Sequence, residues 1–164
     1  MDKKTLRPLL EAKCAEEGFH FPTAAALVEV VSSWNPDFCV FGANYTKSNL
    51  LLKAPTGVTS DTEFIHQRTR WGLFGLYGYE ARRLHFTGWL SSLLRPDIGI
   101  VWGLKHLKKL QISYEGSEII AAFNFGFPRR DGERFVNQGF VDRVEAARPQ
   151  FETLKGVSGQ GDRV

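Results

Sequence analysis

The sequence predicts a mainly α fold: a single helical domain with a central buried helix and a small β/loop lobe. Three observations carry this. Ala24 to Pro36, AAALVEVVSSWNP, is a nearly continuous apolar run that ends in turn residues, and a helix apolar on most sides is a buried one. Further stretches, 3–17, 97–111, 117–125 and 133–147, read as helices packed around it. Only residues 38–70 lack regular helical patterning and are rich in polar and turn residues.

The elements follow in order. Leu6, Leu9, Leu10 and Cys14 recur at helical spacing over 3–17, and Gly18 is a natural stop. Phe19 to Pro22 is a tight connector, and Thr23 is placed to cap the 24–34 helix. Asn35-Pro36-Asp37 ends that helix with turn chemistry. In the irregular region, Leu50 to Leu52 and part of Glu63–Trp71 read as short strands, and Ala54 to Gly57 as a turn. Gly72, Gly75 and Gly78 fall within seven residues, implying a sharp turn or a close approach. Glu80 to Phe86 reads as a helix. Asp97 caps a helix to about Gln111, in which Gly103 suggests close packing. Pro128 to Gly132 is a loop before the last helix, 133–147. The domain spans 1–148, and the Gly, Ser, Gln and charged residues of 149–164 read as a flexible or partner-docking tail.

A chain of 164 residues can bury about 70% of its unfolded surface as one domain. Its net charge of +3, without a lysine-arginine stripe along one face, argues against nucleic acid and only weakly for an anionic polymer. No apolar run is long enough for a membrane span, and MDKKTLRP lacks the apolar core of a signal peptide. The expectation is synthesis in the cytoplasm. Cys14 and Cys39 have no metal spacing, and their pairing stays open. The four histidines show no ligand spacing, so neither metal nor cofactor is expected.

The same stretches carry a resemblance. Val31-Ser32-Ser33-Trp34-Asn35-Pro36 resembles the ESxxNP motif of the soluble lytic transglycosylases, which share the lysozyme fold with goose-type lysozymes. Gly72-Leu73-Phe74-Gly75 resembles the family's GLMQ. Pro96, Ile100, Gly103, Leu107 and Leu110 keep the register of a DPxxNIxxGxxYLxxL stretch. Ala122-Phe123-Asn124-Phe125-Gly126 resembles AYNAG, and Phe140-Val141-Asp142-Arg143-Val144 resembles the closing YVxxV element. The likeness spans about 6–145 and implies an α+β lysozyme-like fold whose small lobe walls a glycan cleft.

The departures are as informative as the matches. In the family, the Glu of ESxxNP is the catalytic acid; this chain has Val31 there. The family Gln is Gly75 and the family Tyr is Phe123. Glycosidic cleavage needs a carboxylic acid beside the glycosidic oxygen, and a valine neither donates nor accepts a proton. No catalytic residue is therefore expected. Glu29 lies on the opposite helix face from Val31 and reads as a partly exposed or paired helix residue. Glu80, opening the helix behind the GLFG loop, is the fallback acid, although a helix N-terminus favours its anionic form. Asp37 and Glu63, on flanking loops, stay open as further candidate acids.

By resemblance, Trp71, Gly75, Tyr77, Phe123 and Asn124 form the substrate-binding set. For Trp71 and Tyr77, sugar stacking and plain packing weigh evenly; Trp102 and Phe123 read more readily as core; Trp34, Tyr79 and Trp89 are further stacking candidates. Two readings follow. The first is a catalytically inactive domain: a structural or peptidoglycan-binding part of a cell-wall-penetrating assembly such as a bacteriophage tail. Its partners would be glycan strands, as a weak or former ligand, and other chains of a virion. The second is an active peptidoglycan lytic transglycosylase with a relocated acid.

Overall fold

The computed structural model describes residues 1–42 and 55–152. Seven α-helices and two small antiparallel sheets occur among them. Helix α1 (Lys3–Glu17) opens on Asp2, whose carboxylate accepts from the Thr5 N–H at 3.0 Å, and closes on Gly18 at φ 64°. It buries Leu6, Leu10 and Cys14. Helix α2 (Phe21–Ser32) is the centre: Ala24 to Val28 are fully buried. It packs against α1, the last helix α7 (Gln138–Ala147) and the short 3-10 turn Arg148–Phe151. Helices α5 (Pro96–Gln111) and α6 (Ser117–Phe125) complete the large core with Ile100, Leu104, Leu107, Ile120 and Phe123.

A second, smaller core lies under a three-stranded sheet. Strands β1 (Cys39–Phe41), β2 (Thr69–Trp71) and β3 (Leu76–Tyr77) pair antiparallel in that order. Trp71 and Leu76 pack there with Ala81, Phe86, Leu90 and Leu93, contributed by α4 (Gly78–Arg83), the residues after it and the 3-10 turn Leu90–Leu94. Helix α3 (Ser60–Gln67) closes the flank. Phe74 bridges to the large core: Gly103 leaves room for its ring, since a Cβ there would fall 2.2 Å from Phe74 Cδ2.

Several expectations are corrected. Thr23 is not the N-cap of α2. The helix starts at Phe21 with Pro22 in its first turn, the position where a missing N–H costs least, and His20 takes the cap position while its Nδ1 meets Thr23 Oγ1 at 2.9 Å. The short strand expected within Glu63–Trp71 is present as Thr69–Trp71, β2, while the unexpected helix α3 occupies Ser60–Gln67 before it. Arg95, not Asp97, is the cap residue of α5. Helix α4 stops at Arg83 rather than Phe86. A hairpin of β4 (Arg130–Asp131) and β5 (Arg134–Phe135) turns on Gly132 at φ 61°, so the last helix begins at Gln138 rather than Glu133. The folded unit runs past residue 148, because Phe151 is 2% exposed and its ring meets Phe21 and Trp34. The expected strand Leu50–Leu52 and the tail from 153 onward lie outside the described residues.

Among the described residues no helix is long and apolar enough to cross a membrane. Cys14 and Cys39 are both free. Burial pushes the Cys14 thiol up from 9.0 to about 12, so above pH 9 the unfolded chain releases a proton that the folded chain holds. Stability should therefore fall as pH rises from about 9 towards 12, and less so in Cys14→Ala when compared by alkaline denaturation. In native protein a thiol reagent should titrate Cys39 rapidly and Cys14 only after unfolding.

Candidate functional site

The site forms where the C-terminal end of α2 meets the small sheet. Helix α2 ends in a tight reversal: Ser33 and Trp34 both take positive φ, 51° and 62°. Left-handed non-glycine residues cost about 1–3 kcal/mol each. Here Trp34 is held in place: it is 3% exposed, its indole Nε1 donates to Glu29 Oε2 at 2.7 Å, and its ring meets Phe151. The reversal continues through Asn35, whose side-chain oxygen accepts from the Asp37 N–H at 3.0 Å. This delivers Phe38 and β1 alongside β2.

Strand alternation then sets the sheet's two faces. Thr69 and Trp71 point to the small core and Arg70 to the opposite face. Arg70 sits opposite Val40 on one side and Tyr77 on the other. Gly75, at φ 54°, lies against three groups at once. A Cβ there would fall 2.6 Å from Val31 Cγ1, 3.0 Å from Phe38 Cε1 and 3.3 Å from Arg70 Nε. Any side chain at 75 would thus be both strained and crowded. The Arg70 Nε donates to the Gly75 carbonyl at 3.0 Å, and its guanidinium lies 5.9 Å from the Phe38 ring centroid and 5.6 Å from that of Tyr77. Burial pulls the Arg70 pKa down, and Tyr77 opposes this.

Of the residues singled out from sequence, Val31, Gly75 and Tyr77 come together here, with Val31 and Tyr77 half-buried. Trp71 does not: it is 6% exposed, and its Nε1 donates to the His66 carbonyl at 2.9 Å. The structure gives it a packing role in place of a stacking one. Phe123 sits in the large core, edge-on to Phe74 and beside His106. Asn124 accepts from Asn137 Nδ2 at 3.2 Å, tying α6 to the segment before α7. Glu80 pairs with Arg83 at 3.4 Å. Glu29 is bound to Lys3 and Trp34. Glu63 is in a helix rather than a loop, deep in an ion pair with Arg82.

Arg70 and Phe38 were not singled out by the sequence reading. The available signal was a charged residue flanked by two residues that face a core, Thr69 and Trp71. Among the described residues no group of three or more His, Cys, Asp or Glu is placed to hold a metal ion. Comparison with family models, with curated proteins and with solved structures finds no match to this chain.

Proposed function

We propose that the chain is a non-catalytic, lysozyme-fold domain of lytic-transglycosylase type, serving as a structural or peptidoglycan-binding component of a cell-wall-penetrating assembly such as a bacteriophage tail. The observation that carries this reading is the meeting of Val31 with Gly75. They are the positions where the ESxxNP and GLMQ motifs would place Glu and Gln, they lie far apart in sequence, and they pack against each other in space. That convergence supports the motif alignment, and with it the loss of both polar groups from one place.

The electrostatics point the same way. A general acid needs a raised pKa, and a cation beside a carboxylate lowers it. Of the three groups against this place, the charged one is the Arg70 guanidinium, which would hold any carboxylate there ionised. Glu80 is likewise paired with an arginine.

The test is a dye-release assay on purified, dye-labelled peptidoglycan, with co-sedimentation on the insoluble polymer. The expected result is no release above the blank, since loss of a general acid alone costs about 10²–10⁴-fold, together with retention of protein on the pellet. Release of anhydro-muropeptides that disappears in Glu80→Gln would overturn the proposal and make Glu80 the acid. Neither release nor co-sedimentation would remove the glycan-binding part of it.

A further inference from the structure

We infer that Arg70 is an anion-recognition residue and that the group it takes is a carboxylate of the ligand. This deepens the glycan-binding reading and rests on it for the kind of molecule that carries the carboxylate.

The argument begins with an imbalance of charge. Arg70 is half-buried on the α2-facing side of the small sheet, with aromatic rings on two sides and the Val31–Gly75 contact behind it. Among the described residues no carboxylate pairs with it. The 43–54 segment that follows β1, ANYTKSNLLLKA, contains neither aspartate nor glutamate. The buried Arg82 of the small lobe is treated differently: it is matched by the Glu63 carboxylate through two nitrogens. A charge withdrawn from water without a counter-charge costs stability, unless a bound partner supplies one.

The geometry is that of a prepared donor. The Nε is committed to the Gly75 carbonyl at 3.0 Å, which fixes the plane of the guanidinium. Phe38 and Tyr77 restrict its swing. Among the described residues no hydrogen bond engages the two terminal nitrogens, and a guanidinium fork matches the two oxygens of a carboxylate. Gly75 contributes by absence of a side chain, since a Cβ there would press on Arg70 Nε and on Val31. The site therefore has a cation where the lytic transglycosylase motif would bring an acid, and it suits holding an acidic sugar or peptide group, not cleaving beside one.

The experiment uses the full chain and three probes: soluble muropeptides, which carry carboxylates; chitotetraose, a neutral glycan; and citrate, a carboxylate without sugar. Binding is followed by calorimetry and by the ¹⁵N-edited signal of the Arg70 Nε–H. Wild type is expected to bind muropeptides and to shift the Arg70 signal with both muropeptides and citrate. Arg70→Gln should weaken muropeptide binding by about 10–100-fold, the scale of a charge-assisted hydrogen bond. Arg70→Lys should fall between, since it keeps the charge without the fork. Unchanged muropeptide affinity in Arg70→Gln, with a static Arg70 signal in wild type, would overturn the inference while leaving glycan binding intact. A citrate shift at Arg70 without binding of either glycan would support the anion site and overturn the glycan reading. If Arg70→Gln does not fold, the wild-type signal decides: no shift with any anion rejects the site.

Discussion

Arg82→Met is expected to lower the unfolding free energy by about 3–5 kcal/mol, the cost of breaking a buried ion pair from one side. Arg82 and Glu63 have side-chain exposures of 4% and 1%. The pair is bidentate, with Nε to Oε1 at 2.7 Å and Nη2 to Oε2 at 3.1 Å. The remaining nitrogen, Nη1, donates to the carbonyls of Phe86 and Gly88 at 2.5 and 2.8 Å, and Gln67 donates to Glu63 at 2.8 Å. Removal of Arg82 strands a buried carboxylate and two carbonyls together. Urea denaturation of the variant measures the loss. The double variant Arg82→Met with Glu63→Met should recover part of it, because the stranded charge is gone while the two carbonyls remain unpaired. A loss under 1 kcal/mol in the single variant would show that the pair contributes little. The consequence for the site is direct: this pair fastens α3 to α4, the two helices that bracket β2 and therefore Arg70.

Gly72→Ala is expected to destabilise by about 2–5 kcal/mol. Gly72 has φ 67°, a conformation that costs an L-residue roughly 1–2 kcal/mol. Its added Cβ would also fall 2.2 Å from the Leu93 carbonyl oxygen. That oxygen belongs to backbone, so relief requires the 3-10 turn to move, an overpacking cost of about 1–3 kcal/mol more. The Gly72 N–H donates to the Phe38 carbonyl at 2.8 Å, which binds the loop to the reversal after α2. Thermal unfolding reads the effect, and a variant within 0.5 kcal/mol of wild type would contradict it. A shift of the turn would also pull Gly75 away from Val31, so weakened ligand binding should accompany the loss of stability.

Much of the helical plan was legible because it depends on local signals. The apolar run of α2, the spacing of Leu6, Leu10 and Cys14, and the Gly18 stop each act within one or two turns. Turn residues marked the reversal at Asn35 for the same reason. The misses share a cause as well. The stretch before β2 gave no helical signal, yet Thr59 caps a helix there through Thr62 N–H at 3.2 Å, and tertiary pairing of Glu63 with Arg82 secures it. The β4–β5 hairpin has strands of two residues each, too short for any period to register. Phe151 was assigned to a tail because its neighbours are polar, while the pocket between Phe21 and Trp34 that receives it is built from distant sequence.

The candidate site divides along the same line. The sequence by itself determined that positions 31, 75 and 123 carry no acid, amide or phenol, since residue identity settles which protons can be moved. It also determined that α2 is central, because no other surface in so short a chain can hide that apolar run. Which of these residues share a place was decided only by tertiary structure. Val31 and Gly75 touch because the left-handed reversal at Ser33 and Trp34 turns the chain back and the sheet register places Tyr77 beside Arg70. Trp71 went to the core and Arg70 to the face above it by the two-residue alternation of one short strand. A single residue's difference in register would have exchanged them, and that register is set by contacts far along the chain.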